Sequence, residues 1–207
     1  MSTRLIIGVT AAMLLATDGY ADTYPRQPAI DIIHYVFRLT VNDSSDRIAG
    51  AATVTFRVVQ PVGELVLDLT SAADGKGMTV SAATVAATTI AFTHASDRLH
   101  IPLPSTVKAG DELQATVTYS GIPAEGLRLI RNIHGERTMF SENWPNRARQ
   151  WLPMIDHPYD KATGEFIVTA PSHYQVIANG RLVEEADLAP GMRRTHWKQS
   201  VPIASWL

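Results

Sequence analysis

Seven histidines, at positions 34, 94, 100, 134, 157, 173 and 196, are the first candidates for metal or acid–base chemistry in this chain. A helical metal pair sets two imidazoles four residues apart on one face, and no His-x-x-x-His occurs. Histidines on facing strands can still meet in space. Their spacing does not bring them together, so they read as surface or singly hydrogen-bonded side chains. There is no cysteine, which removes thiolate ligands and disulfides together. The sequence also lacks a Gly-x-Ser-x-Gly nucleophile elbow, a Gly-x-Gly-x-x-Gly turn and a Walker loop. The adjacent carboxylates Asp111-Glu112 and Glu184-Glu185 fall at turn or strand edges, where solvated surface is their role.

The stretch from Thr138 to Pro171 holds more. Asp156-His157-Pro158 places an aspartate before a proline-containing turn, where a carboxylate caps backbone N–H groups and fastens a loop. Arg147 and Arg149 stand near Trp144 and Trp151 and can pair with such a carboxylate or stack on an indole. Glu142 follows a strand-like Met139-Phe140-Ser141 and precedes an aromatic–proline corner, which projects its carboxylate at a loop rim.

The elements that carry these residues are strands. Tyr35, Phe37, Leu39 and Val41 share one face of a period-two pattern, with His34, Arg38 and Thr40 on the other. After a polar turn at Asn42 to Asp46, Ile48, Ala52, Val54, Phe56 and Val58 repeat the pattern. Gly50 interrupts it, the mark of a bulge or a close backbone approach. Leu65, Leu67 and Leu69 alternate next, then a Thr/Val/Ala-rich run from Met78 to Ala95. Pro102 and Pro104 favour an edge position for Leu99 to Leu103, and Leu113, Ala115, Val117 and Tyr119 alternate once more. Beyond Pro171, Tyr174 to Ala178 and Arg181 to Glu184 flank Asn179-Gly180, a two-residue hairpin signal, and Gly191 to Gln199 reads as a further strand. Short strands with turn signals between them and no helix pattern predict an all-β domain, an antiparallel sandwich or saddle.

Hydrophobic residues make up 45% and charged residues 18%, which is globular composition. The formal net charge is -2 with no basic stripe, so nucleic acid is not a partner. Arg4, the apolar run Leu5 to Ala16, and Gly19 and Ala21 at the −3 and −1 positions predict a secretory signal over residues 1–21. That run has 12 residues, short of the roughly 20 that span a bilayer, so no membrane span is expected and the protein is read as exported, periplasmic or extracellular.

With these residues in view, FSENWPNRARQWLPMIDHPYDKATGEFIVTAPSHYQVIANGRLVEE and DIIHYVFRLTVNDSSDRIAGAATVTF strongly resemble the N-terminal β-domain of the M1 family of zinc aminopeptidases, over about Ile30 to Leu207. The most specific parts are Arg149-Gln150-Trp151-Leu152-Pro153, Asp156-His157-Pro158, and Asp160-Lys161-Ala162 leading into Phe166-Ile167-Val168. The resemblance implies a saddle-like, mostly antiparallel domain at 22–207. It also implies that zinc, held by His-Glu-x-x-His and a later glutamate, and a Gly-x-Met-Glu-Asn motif belong to a following domain. Neither motif occurs here. In the family one loop of the β-domain carries a Gln or Glu that holds the substrate's free α-amine. That loop matches Phe140 to Trp144, making Glu142 the candidate contact with Asn143 and Trp144 beside it. In several relatives the acidic or amide side chain stands two residues later, where this chain has Trp144.

The sequence is thus read as the substrate-entrance domain of an exported M1-type aminopeptidase, with no catalytic residue, metal ligand or cofactor of its own. Its partners would be a catalytic domain, in cis or separately encoded, and a peptide with a free N-terminus. The chain ends at Ala204-Ser205-Trp206-Leu207, within what reads as a strand, so a domain truncated at its C-terminal side is expected. The alternative is a stand-alone β-sandwich module binding peptides or carbohydrates. Mass spectrometry of the protein from its host should find Asp22 as the first residue; retention of Met1 to Ala21 on most molecules would rule out cleavage there.

Overall fold

The period-two segments become strands. The computed structural model describes residues 22–188 and 190–207, so the expected leader over 1–21 lies outside the described residues. Among them the strands are, in chain order, β1 (Ile30–Thr40), β2 (Ile48–Val58), β3 (Glu64–Asp68), β4 (Gly77–Val85), β5 (Thr88–Thr89), β6 (Thr93–Ala95), β7 (Arg98–Pro102), β8 (Glu112–Ile122), β9 (Leu127–Arg131), β10 (Arg137–Ser141), β11 (Ala162–Pro171), β12 (Arg181–Asp187) and β13 (Met192–Ile203). One 3-10 turn, Ala148–Gln150, is the helical element. Eight strands form the main sheet, in the order β12-β13-β11-β1-β2-β8-β4-β5. A three-stranded sheet, β3-β7-β6, and the separate β9-β10 hairpin complete the architecture. The core is continuous between the inner face of the main sheet, β3, β7 and the segment 148–155, with Phe56, Leu67, Ile101, Leu152 and Ile155 almost fully enclosed.

The sheet is mixed: its pairings are antiparallel but for one, as the mostly antiparallel domain expected from the sequence allows. β1 and β11 run parallel, His34 against Thr163 through Thr40 against Thr169. Alternation reports which side of a strand is buried and is blind to direction. The parallel pair arises because most of the domain lies between β1 and β11 in sequence. At Gly50 the register with β1 and β8 continues without a bulge. The glycine is there for close approach: a Cβ would stand 2.5 Å from the Tyr119 ring on the neighbouring strand.

Three local readings are corrected. Asn179-Gly180 does not join two paired strands: residues 175–178 are irregular, and β12 pairs with β13 instead. Val176 is held instead by its carbonyl, which accepts the Trp197 indole N–H at 3.0 Å. β7 is the middle strand of its sheet, not an edge; Pro102 is tolerated because β6 reaches only as far as His100. At the end of the chain, β13 stops at Ile203, and the Leu207 N–H closes a turn onto the Ala204 carbonyl at 3.1 Å, so the last residues are not strand. Two tight turns carried no Asn-Gly signal at all. Ala86-Ala87 and Ser96-Asp97 join β4 to β5 and β6 to β7 with positive φ at all four residues.

One buried polar centre ties the pieces together. Asp68, at the end of β3, is fully enclosed. Its Oδ2 accepts the Asp156 N–H at 2.9 Å and the Tyr24 hydroxyl, and its Oδ1 pairs with Arg98 at 3.1 Å. Asp156 is itself buried and accepts the Arg149 backbone N–H at 3.0 Å and its Nε–H at 3.2 Å. The expected loop-fastening role of Asp156 is therefore what the structure shows, with Arg149 as its partner. Burial, then the Asp68 carboxylate, pushes the Tyr24 phenol well above its ordinary range, so it stays a donor. Removing that donor leaves a buried carboxylate short of a partner. Tyr24→Phe should cost about 1.5–3 kcal/mol, the worth of a hydrogen bond to a charged group, read as a lower denaturant midpoint at unchanged slope.

Candidate functional site

The sequence places Glu142, Asn143 and Trp144 just after β10, and the fold sends the three side chains in different directions. Glu142 is exposed at the rim, Asn143 is buried, and Trp144 is 61% exposed beside Pro145. The Asn143 Oδ1 accepts the Trp151 indole N–H at 3.0 Å, and its main-chain carbonyl accepts the Arg147 N–H at 2.7 Å. Asn143 thus closes the loop onto the 3-10 turn, and this is the local reason that Glu142 faces outward. Arg149, one turn further on, anchors the same segment to Asp156.

The Glu142 carboxylate does not stand alone. Arg147 Nη1 donates to its Oε2, and Arg147 Nε lies 3.1 Å from Glu125 Oε2. Glu125 sits in the turn between β8 and β9, and the next residue, Gly126, accepts the Glu142 N–H at 2.7 Å. Gly126 has φ of +77°, and a Cβ there would stand 2.3 Å from the Arg147 carbonyl oxygen. Two remote turns are therefore pressed together, with two carboxylates sharing one guanidinium. Sequence reasoning named Glu142 and Arg147 but set Arg147 against an aspartate or an indole. Glu125 and Gly126 lie at a sequence distance that no local motif spans.

Beside this loop lies a groove of about 260 Å³ whose mixed lining joins Phe140, Trp151, Phe166 and Val176 to the polar Asn143 and Gln175. Ile177 at its edge is 73% exposed. The loop that carries the Glu142 carboxylate thus borders partly apolar and aromatic surface, a combination suited to an ammonium group carried on an organic chain.

The histidines gather elsewhere. On the outer face of the main sheet, Glu165 lies between His196 Nε2 at 2.8 Å and His34 Nε2 at 3.4 Å, with Lys198 Nζ at 2.8 Å. Burial raises the Glu165 carboxyl, but its hydrogen bonds to Lys198 and His196 outweigh this and hold it below its ordinary value. Burial lowers His34. The carboxylate is occupied by its neighbours and clips β1, β11 and β13 together. Among the described residues no three His, Asp or Glu side chains are grouped to hold a metal ion, and no helix is long and apolar enough to cross a membrane.

Comparison with known proteins agrees with this fold. The family model described as the peptidase M1 N-terminal domain matches residues 32–207. No curated protein matches the sequence. Among solved structures, the chain is similar to an M1 zinc metallopeptidase from Deinococcus radiodurans at 27% identity and a TM-score of 0.74, over 87% of this chain and 41% of that one. It is similar over the same shares to a two-domain M1 zinc metallopeptidase mutant bound to L-tryptophan, at 26% identity and a TM-score of 0.75. A mutant of the Deinococcus radiodurans M1 zinc metallopeptidase bound to a Tyr-Ser-Ala substrate matches at 25% identity and a TM-score of 0.73, again over 87% and 41%. This chain thus spans about two-fifths of the length of those relatives.

The close approach at Gly126 gives a test of the loop's fastening. Gly126→Ala puts a methyl group into the Arg147 carbonyl and strains the positive φ, so the turn must move away from Glu142. Amide hydrogen exchange should show faster exchange at Glu142 and Arg147 while the β1–β2 amides keep their protection. Unchanged exchange at both residues would mean that the two turns are not mechanically joined.

Proposed function

Because this chain belongs to the family of peptidase M1 N-terminal domains, we propose that it is the substrate-entrance domain of an exported M1-type zinc aminopeptidase, with Glu142 meeting the α-ammonium of the peptide. The observation that carries the reading is an outward-facing carboxylate, Glu142, held by Arg147 on a fastened loop that borders a partly apolar groove. A protonated amine brought into a closed cleft needs an anionic partner, because an unpaired charge there is costly. Asn143 serves the site by closing the loop and lining the groove, and the exposed Trp144 indole on the same loop offers an aromatic face to the peptide's first side chain. The leader over 1–21 would deliver the protein to the periplasm or the exterior.

The family's zinc polarises the scissile carbonyl and activates water. The described residues do not fit that ion: Glu165, the one carboxylate flanked by two histidines, is already held by Lys198. The zinc and the general base are therefore assigned to a separate catalytic domain. A two-domain relative and a relative carrying Tyr-Ser-Ala, a peptide with a free amine, support this division of labour.

The test is Glu142→Ala in the protein supplied with its catalytic domain. kcat/KM for free-amine peptides should fall by the equivalent of about 1.5–3 kcal/mol, the worth of a charged hydrogen bond, with the fold intact. Unchanged kinetics in a well-folded variant would return Glu142 to ordinary solvated surface.

A further inference from the structure

Resting on the reading of Glu142 as the amine contact, we infer that Glu125 and Arg147 are positioning residues for it, and that Glu125 supplies the negative charge which keeps the rim attractive to an ammonium. Arg147 lies against Glu142, so that pair alone is neutral and has no net attraction for a cation. Glu125, 3.1 Å from the other edge of the same guanidinium, brings the trio to a net charge of −1. An incoming α-ammonium then completes two carboxylates against two cations, with no charge left over. Arg147 can lean on Glu125 while Glu142 turns to the amine, because its Nε and Nη1 present different edges to the two acids.

The backbone is built for this sharing. Glu142 N–H donates to the Gly126 carbonyl at 2.7 Å, and the positive φ of Gly126 lets its turn touch the Arg147 carbonyl. Glu125 and Glu142 are thus carried on two surfaces locked side by side, 17 residues apart in sequence. All three side chains are partly or largely exposed, so as a stability device the trio is worth little. Holding charge at the surface of a loop that borders the groove is a role in which exposure is an asset, since the ligand must reach it.

The experiment uses the full chain, with amide and side-chain resonances followed by NMR as trialanine or N-acetyl-trialanine is added. Trialanine should give saturable shifts at Glu142 and Arg147, and the acetylated peptide should not. Glu142→Gln should abolish the shifts. Glu125→Gln should weaken trialanine binding about tenfold with resonance dispersion unchanged, and Glu125→Asp should restore it to within about threefold, following the charge more than the shape. If Glu142→Gln abolishes binding while Glu125→Gln leaves it unaltered, the positioning role is wrong and the amine contact stands. If the acetylated peptide binds as well as trialanine, the amine contact fails and the role of Glu125 fails with it.

Discussion

A carboxylate shut away from water must be paired and hydrogen-bonded, or it costs more than the fold can spare. Asp68 and Asp156 set that constraint here, and much of the domain is arranged to meet it. Arg98 arrives from β7, Arg149 from the 3-10 turn, the Tyr24 hydroxyl from the segment preceding β1, and the Asp156 N–H from the loop itself. His157 stacks on Tyr24 at 4.6 Å and lies 3.2 Å from Asp22, so the first described residues are bound to the same centre. Each partner comes from a different part of the chain. The centre therefore specifies how the three-stranded sheet, the long loop and the main sheet meet, which nonspecific apolar contact does less sharply.

The loop at the groove inherits its position from that centre. Arg149 is fixed by Asp156, the 3-10 turn precedes Trp151, and Trp151 holds Asn143. Glu142 then has one direction left, outward, where Arg147 meets it. This is the usual division between a rigid scaffold and an exposed loop: the scaffold absorbs the ordering entropy, and the loop holds its charged groups at the surface.

The main sheet solves a different problem. Its inner face is packed, and its outer face stays open with Arg38, Thr40, Ala49, Ala51 and Thr118 exposed or partly so. The parallel junction between β1 and β11 is bridged on that open face by His34, Glu165, His196 and Lys198. Charge pairing across three strands there does for register what apolar packing does on the other side.

Much of the fold was legible from alternation alone, because a half-buried strand must place apolar side chains on every second residue. Tyr35, Phe37 and Leu39, then Val54, Phe56 and Val58, then Ala115, Val117 and Tyr119, are all buried on the inner face as their spacing requires. The role of Asp156 was legible too, since an aspartate before a proline turn has few other uses. Turn chemistry was less dependable. Asn179-Gly180 failed as a hairpin because Trp197 takes the preceding segment elsewhere, and Ala86-Ala87 turned without any turn residue because β4 and β5 pair around it. The sequence by itself determined the all-β class, the faces of the strands and the loop that holds Glu142. The parallel joining of β1 to β11, the burial of Asp68 among Tyr24, Arg98 and Arg149, and the sharing of Arg147 by Glu125 and Glu142 were decided only in three dimensions. Each depends on residues far apart in the chain being brought within a few ångströms, and local periodicity contains no term for that distance.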